Sequence, residues 1–323
     1  AHEGAGERMD MALRRQRLPR RITVAVGIAS LCGIVFVPFH LGSVTTIAPP
    51  PERLVPLTAA LPYPTPEWRR ARHLIVVAGH AVYTAAGRDE RALSDESSWF
   101  LEPFQHGQLS TMLAHIQQGV ALAAVDNASL LLFSGGETRF VAGPRSEAGS
   151  YWEAADASAW FGRSQVRQRA ALEAQARDSF ENLLFSVCRF RELSGDYPDH
   201  ITVVSFGFKR HRFEELHRGA LRFPRSRFSF SGIDPPGLPA SVLDAEQSRS
   251  AKPFEHDPYG CTDPTLQRKR RERNPFRRSV SYPRGCPEIA PLLAHCSTEL
   301  FNGPLPWNTL RPRDTQKVLK EHM

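Results

Sequence analysis

The sequence predicts an α/β fold, with a parallel sheet covered by helices on both faces, behind one N-terminal transmembrane helix. From residue 73 onward, short β-branched apolar runs alternate with helical stretches, a pattern typical of βαβ units. An uncharged run over residues 22–39 follows five arginines. The chain has 323 residues, of which 41% are hydrophobic and 23% charged, so wholesale disorder is excluded.

The N-terminal apolar run has about the length that crosses a bilayer core. The preceding arginines place the N-terminus in the cytosol and the bulk of the chain in the lumen of the endoplasmic reticulum or Golgi. We expect a cytosolic tail (1–21), a membrane anchor (22–44), a proline-rich linker (45–70), a folded domain with an irregular C-terminal extension (71–307) and a second tail (308–323). A cleaved signal peptide, a buried helix and a cytoplasmic-facing domain are the alternatives.

Four strands and four helices are predicted in the folded part. Apolar runs predict strands over 73–78, 129–134, 201–206 and 228–233. Helical spacing predicts helices over 109–124, 146–160, 167–193 and 213–221, with Ser146 as an N-cap. In the third helix, Glu173 lies two turns before Phe180, so both are expected on one inward face.

The carboxyl ends of parallel strands meet at one edge, where α/β proteins bind ligands. Gly79-His80, Ser134-Gly135-Gly136 and Ser205 follow or end three of the predicted strands, and Glu173 is expected beside them. The exposed N–H groups of a glycine turn can hold an anion. A tight turn without a ligand is the alternative, because the full dinucleotide and Walker motifs are absent.

Glu173 and His80 are the candidate catalytic residues. Glu173 would act as a general base or accept a hydrogen bond from a sugar hydroxyl, or else pair with Arg177 at i+4. His80 would act as acid or base, or serve as a structural histidine. Lys209 and Arg212 would neutralise a phosphate or carboxylate, unless they are simply solvated.

The late part of the chain carries a basic run and three cysteines. Residues 267–278 hold seven Lys or Arg and one Glu, so this run has a net charge of +6. The whole chain has a net charge of +7, so the rest of it is nearly neutral. Because the anchor would place this run in the lumen, we expect no nucleic-acid partner. A solvated or structural segment is expected instead, or a contact with acidic lipid or glycan. Cys286 is expected to pair with Cys296 or Cys261, and Cys188 to be a buried apolar residue. No CxxC pair is present, so no metal site is expected.

The order of these motifs resembles domain of unknown function 218, the family of the bacterial envelope proteins SanA and YdcF, in its fungal membrane-anchored branch. The segments 253–261, 273–276 and 305–307 (PFEHDPYGC, RNPF, LPW) carry the fungal character. The resemblance implies a Rossmann-like three-layer sandwich with a polar pocket. The residues that would line it are Ser134, Gly135, Gly136, Glu147, Glu173 and Asn182. Bacterial members commonly have a histidine after the third core strand, whereas Phe208 stands here.

The sequence therefore predicts a membrane-anchored protein whose lumenal pocket binds a polar ligand, either an anion or a molecule that contains a nucleotide or a sugar. Envelope or glycan processing is the associated expectation, by analogy of fold. The alternative is a membrane-anchored adaptor without enzymatic activity and with a vestigial pocket. The reaction and the cofactor stay undetermined.

Overall fold

Five parallel strands form the central sheet in the computed structural model, which describes residues 66–87 and 89–308. They are β1 (His73–Ala78), β4 (Ser129–Ser134), β5 (Ala170–Glu173), β6 (His200–Ser205) and β7 (Phe228–Gly232). The order across the sheet is β5-β4-β1-β6-β7, and every neighbouring pair is parallel. The chain therefore winds outward from β1 in both directions, which opens a crevice between the carboxyl ends of β1 and β6. β2 (Val82–Tyr83) and β3 (Trp99–Phe100) form a small antiparallel pair.

Helices cover both faces of the sheet. The longer helices are α3 (Leu109–Val125), α4 (Glu147–Ala157) and α5 (Ser179–Ser194). Short helices are α1 (Pro66–Arg70), α2 (Glu90–Ser94), α6 (Arg218–Ala220), α7 (Ala240–Glu246), α8 (Lys252–His256), α9 (Pro264–Glu272), α10 (Tyr282–Gly285) and α11 (Ala290–Leu293). A π-helix over Arg212–His217 runs directly into α6.

Alternate residues of β1 point into two separate cores. Leu74 and Val76 pack with α5 and the C-terminal segment, whereas Ile75 and Val77 pack with α3 and α4. All four side chains are completely buried. A strand that is buried on both faces explains the continuous apolar run in the sequence. The predicted α/β fold with a parallel sheet is confirmed.

The predicted helix over residues 167–193 is wrong in its first half. Residues 170–173 form strand β5, which pairs with β4 so that Glu173 lies opposite Ser134. Helix α5 begins only at Ser179, where the Asp178 side chain accepts a hydrogen bond from the Glu181 N–H. An aspartate followed three residues later by glutamate is a helix-start pattern. Pairing with β4 outweighed the helical preference of the alanines.

The cysteine pairing also differs from the expectation. Cys188 is bonded to Cys286, and Cys261 to Cys296. Cys188 lies in the core as expected, but it is one end of a disulfide rather than a free apolar side chain. The first bridge ties the C-terminal segment to α5, and the second closes a loop within that segment.

The predicted anchor over residues 22–44 lies outside the described residues. Across residues 66–87 and 89–308, every helix is too short or too polar to span a bilayer.

Candidate functional site

A cavity of about 750 Å³ lies at the carboxyl edge of the sheet. The segments after β1 and β6 form its floor, and the N-terminus of α5 forms one side. Helices α7 and α9 close the opposite side. The cavity thus occupies the crevice that the strand order creates.

Five of the predicted site residues line this cavity: His80, Glu147, Asn182, Lys209 and Arg212. The other four lie behind its wall: Ser134, Gly135, Gly136 and Glu173.

The glycine turn serves packing in this structure. The N–H of Gly135 is donated to the Glu173 carbonyl and that of Gly136 to the Ala176 carbonyl. Neither N–H is therefore free to bind an anion. An anion in the cavity would have to be held by other groups. A Cβ on Gly135 would lie 2.7 Å from a Glu147 carboxylate oxygen, and one on Gly136 would lie 2.7 Å from the Ala176 carbonyl. Both positions need glycine because neighbouring segments approach so closely.

Glu173 is fully buried and hydrogen-bonded at both carboxyl oxygens. Oε2 lies 2.7 Å from Ser134 Oγ, and Oε1 accepts from the Gln175 N–H and the Tyr282 hydroxyl. Ser134 Oγ also lies 3.0 Å from Asn182 Oδ1, so this chain of bonds reaches the cavity wall. Burial raises the pKa of Glu173 to about 7. The predicted ion pair with Arg177 is not formed, because Arg177 pairs with Glu181.

His80 and Lys209 form a contact pair on the cavity floor. Lys209 Nζ lies 3.3 Å from His80 Nδ1, and His80 Nε2 lies 3.2 Å from Ser205 Oγ. Burial, followed by the charge of Lys209, holds the pKa of His80 well below its usual value. His80 is therefore neutral near pH 7, and its Nδ1 accepts from the lysine.

Positive charge dominates the cavity. Eight lysine or arginine side chains line it, against four carboxylates. Among the described residues, no carboxylate lies within 4.0 Å of Lys209, Lys269 or Arg273. Arg212 is 5% exposed, and its Nε lies 3.0 Å from Glu246 Oε1, without hydrogen-bond geometry at either atom.

These cations repel one another, which lowers their pKa values. Arg212 is buried, and Lys209, Lys269 and Arg273 are half-buried. Burial, with the charge of Arg212, lowers the pKa of Lys209 to about 7. Burial, with the charge of Arg273, lowers the pKa of Lys269 to about 7. Burial also lowers the pKa of Arg212 and of Arg273. A bound anion would relieve this repulsion.

Helix α9 supplies part of the charge, and the sequence interpretation missed it. The basic run was expected to be a solvated or structural segment, whereas Lys269 and Arg273 face the cavity and Arg270 Nε lies 2.6 Å from Asp178 Oδ2. Asp263 caps α9 and Pro264 is its first residue. This Asp-Pro start was a signal for the helix, though not for its place at the cavity.

Helix α5 adds a polar end to the cavity wall. Asp178, Ser179 and Asn182 line it, and Asp178 is the N-cap. The N–H groups of Ser179 and Phe180, in the first turn, have no partner within the helix. A helix N-terminus carries partial positive charge, so this end adds to the attraction that the cations exert on an anion.

The remaining wall is aromatic. Phe104, Phe206, Phe208 and Phe213 contribute to it. Lys209 Nζ lies 4.9 Å from the centre of the Phe206 ring. Apolar walls with a few convergent charged groups are typical of small-molecule sites.

Fold and site together define an α/β protein with a doubly wound parallel sheet and a cationic pocket at its carboxyl edge. The chain is similar to the uncharacterized protein YOR238W of Saccharomyces cerevisiae, with 28% identity over 57% of this chain and 76% of the yeast protein. No family model matches the chain. No solved structure matches it either.

Proposed function

We propose that this protein binds a small phosphate-bearing ligand, a nucleotide or a sugar phosphate, in the cavity at the carboxyl edge of the sheet. The observation that carries the proposal is the cluster of Lys209, Arg212, Lys269 and Arg273 around one cavity, with Glu246 as the carboxylate nearest to Arg212. Buried cations are costly unless a counter-charge accompanies them. A phosphate group supplies that charge and several hydrogen-bond acceptors.

The shape of the cavity suits the rest of such a ligand. The phenylalanine walls offer faces on which a base or a sugar can pack, and Glu147 and Asn182 offer acceptors for hydroxyl groups. Glu147 is held in place by the Thr138 hydroxyl at 2.5 Å. The Rossmann-like arrangement and the resemblance to domain of unknown function 218 fit this proposal, and envelope or glycan processing remains the associated hypothesis.

Titration calorimetry on the full chain tests the proposal with pyrophosphate, a nucleoside diphosphate and sulfate as probes. We expect Lys209→Gln and Lys269→Gln each to weaken binding roughly tenfold to a hundredfold, the value of one charged hydrogen bond. Lys252→Gln is the matched control, because Lys252 is exposed on α8 and outside the cavity lining.

Affinity for sulfate, whose charge is constant over the range, should fall between pH 6 and pH 8.5. Below pH 7, Lys209 and Lys269 are protonated and attract the anion, and above it they lose their charge. Equal affinities of Lys269→Gln and Lys252→Gln, or no binding of any probe to the wild type, would contradict the proposal. The second result would favour the adaptor.

We further propose that the domain resides in an oxidising lumen, behind the N-terminal anchor expected from the sequence. Two disulfides are typical of such compartments. Asn127, in a glycosylation sequon, is exposed. Glycosidase treatment of the full chain from eukaryotic cells should lower its mass, and Asn127→Gln should abolish the shift. An unchanged wild-type mass would argue for a cytoplasmic-facing domain.

A further inference from the structure

Ser179 lies on the cavity wall with a histidine directly behind it. Ser179 Oγ is 2.8 Å from His217 Nε2. His217 is completely buried, and its Nδ1 has no hydrogen-bond partner among the described residues. Ser179 therefore holds the histidine at Nε2 and is itself open to a ligand in the cavity.

The π-helix explains how His217 reaches this position. Hydrogen bonds in a π-helix join residues five apart, so Arg212 and His217, which are five apart, lie on the same side. In an α-helix they would point in different directions. Single π-turns occur frequently at functional sites. Here the turn directs a cation and an imidazole toward the N-terminus of α5.

The imidazole ring is oriented by packing. The ring centres of Phe254, Phe213 and Phe180 lie 4.6, 5.4 and 5.7 Å from that of His217. Burial, followed by the charge of Arg212, holds the pKa of His217 well below its usual value, and Asp178 opposes this effect. The charges of Arg270 and Lys269 lower the pKa of His217 further. The ring is therefore neutral near pH 7, and the hydrogen bond to Ser179 is where its Nε2 would take up a proton.

We propose that Ser179 is a nucleophile and His217 its general base, in transfer of a phosphoryl group from the phosphorylated ligand. This inference rests on the proposed function for its substrate class. Ser179 Oγ forms a bond to phosphorus, while the bond from phosphorus to the leaving oxygen breaks. The Ser179 proton passes to His217 Nε2 and then to the leaving oxygen. In the second step, water gives its proton to the same nitrogen and its oxygen bonds to phosphorus. The bond between phosphorus and Ser179 Oγ breaks, and the proton passes from His217 back to Oγ, which releases phosphate.

The surroundings of Ser179 favour this step. Arg212 and Lys269 lie around the same cavity and would stabilise charge on the phosphoryl oxygens. The backbone N–H groups in the first turn of α5 could donate hydrogen bonds to a phosphoryl group, as such groups do at other helix N-termini that bind anions. A serine within hydrogen-bond reach of an oriented base is the usual arrangement of an activated nucleophile.

A fluorophosphonate probe tests the nucleophile without knowledge of the substrate. Attack by Ser179 forms the oxygen–phosphorus bond and expels fluoride. We expect mass spectrometry to locate the label on Ser179, with pyrophosphate slowing the reaction and Ser179→Ala abolishing it. Prior unfolding should also abolish it.

His217→Gln separates catalysis from simple anchoring, because glutamine can still hydrogen-bond to Ser179 but cannot act as a base. We expect labelling to slow by roughly 10²-fold or more. Ser229→Ala is the matched control: Ser229 Oγ lies 2.9 Å from His200 Nε2, but on the exposed side of β7 and outside the cavity lining. Ser179 in the Ser229→Ala variant should be labelled at the same rate as in the wild type.

Absence of label on Ser179 in the folded wild type would overturn the inference, as would equal rates in His217→Gln and wild type. Failure of anion binding is a separate result. If Ser179 is labelled while pyrophosphate and sulfate do not bind, the proposed anion site is wrong and the proposal that Ser179 is a nucleophile is supported. If the anions bind and Ser179 is unreactive, only the proposal that Ser179 is a nucleophile is wrong.

Discussion

At the scale of single residues, Glu173 shows how the fold sets the charge of a buried group. A neutral Glu173 can donate from Oε2 to Ser134 Oγ, whose own proton then points to Asn182 Oδ1. Oε1 keeps its two donors, the Gln175 N–H and the Tyr282 hydroxyl. Every atom of the group is satisfied in the protonated form, which agrees with the raised pKa.

Glu173→Gln should remove a pH dependence of stability. The pKa of Glu173 is about 7 in the folded state, against 4.5 for an ordinary glutamate, so its stabilising contribution is complete below pH 4.5 and is lost as pH rises through 7. Glutamine matches the protonated form and does not ionise. The loss in wild type is on the order of 3 kcal/mol.

Urea unfolding at pH 5 and at pH 8.5 measures the effect. From pH 5 to pH 8.5, the free energy of unfolding of the wild type should fall by about 3 kcal/mol more than that of Glu173→Gln. Glu299→Gln, at an exposed site, should follow the wild type. Parallel pH profiles for Glu173→Gln and wild type would mean that Glu173 is already ionised in the folded protein.

At the scale of elements, helix α9 connects the C-terminal segment to the cavity. It is nine residues long and contributes Lys269 to the cavity wall, with Arg273 as its C-cap residue. The Asp263 side chain caps it by accepting from the N–H groups of Thr265 and Leu266. Because so short a helix is marginal by itself, its cap and its packing decide whether the cations stay in place.

Asp263→Ala should therefore cost about 1 kcal/mol of stability and also weaken anion binding. Chemical denaturation and calorimetry with pyrophosphate give the two values. Asp89→Ala is the matched control, since Asp89 caps α2, which is not part of the cavity lining. It should lower stability similarly and leave affinity unchanged. Loss of affinity in both variants would show that general destabilisation is the cause.

The strands of the sheet show how much of the fold can be predicted from sequence. The runs at 73–78 and 129–134 could be assigned as strands because each is apolar on both faces and bounded by polar residues or glycine. The four residues of β5 could not, since alanine and leucine also suit a helix and only the partner strand decides. The position of His80, Lys209 and Arg212 at the cavity follows from the sequence, because each comes shortly after the end of a predicted strand.

Lys269 and Ser179 were missed for a different reason. Their place at the cavity depends on how α9 and α5 pack against the sheet, which no local pattern records. The cysteine pairs have the same origin, since sequence spacing does not determine disulfide connectivity.

At the scale of the whole molecule, two disulfides hold the C-terminal segment. Cys188–Cys286 joins α5 to the segment after α10, across 98 positions of sequence. Cys261–Cys296 closes a shorter loop of 35 positions. Both cross-links restrict the unfolded chain and so favour the folded state.

Replacing either cysteine pair by alanine should lower stability by about 2–5 kcal/mol. Thermal unfolding with and without dithiothreitol measures this, and reductant should lower the melting temperature of the wild type. A variant that lacks all four cysteines is the control and should not respond to reductant. A wild type that melts at the same temperature in both conditions would show that the bridges do not form.

The late position of α9 has a consequence for synthesis. When residue 239 leaves the ribosome, all five strands of the sheet exist, but the wall that carries Lys269 and Arg273 does not. At this length the crevice is open, and Cys188 is a free thiol because its partner Cys286 has not yet been added to the chain. Ribosome-bound chains that are exposed up to residue 239 should therefore show a protease-resistant sheet and no protection by pyrophosphate, whereas released full-length chains should show both.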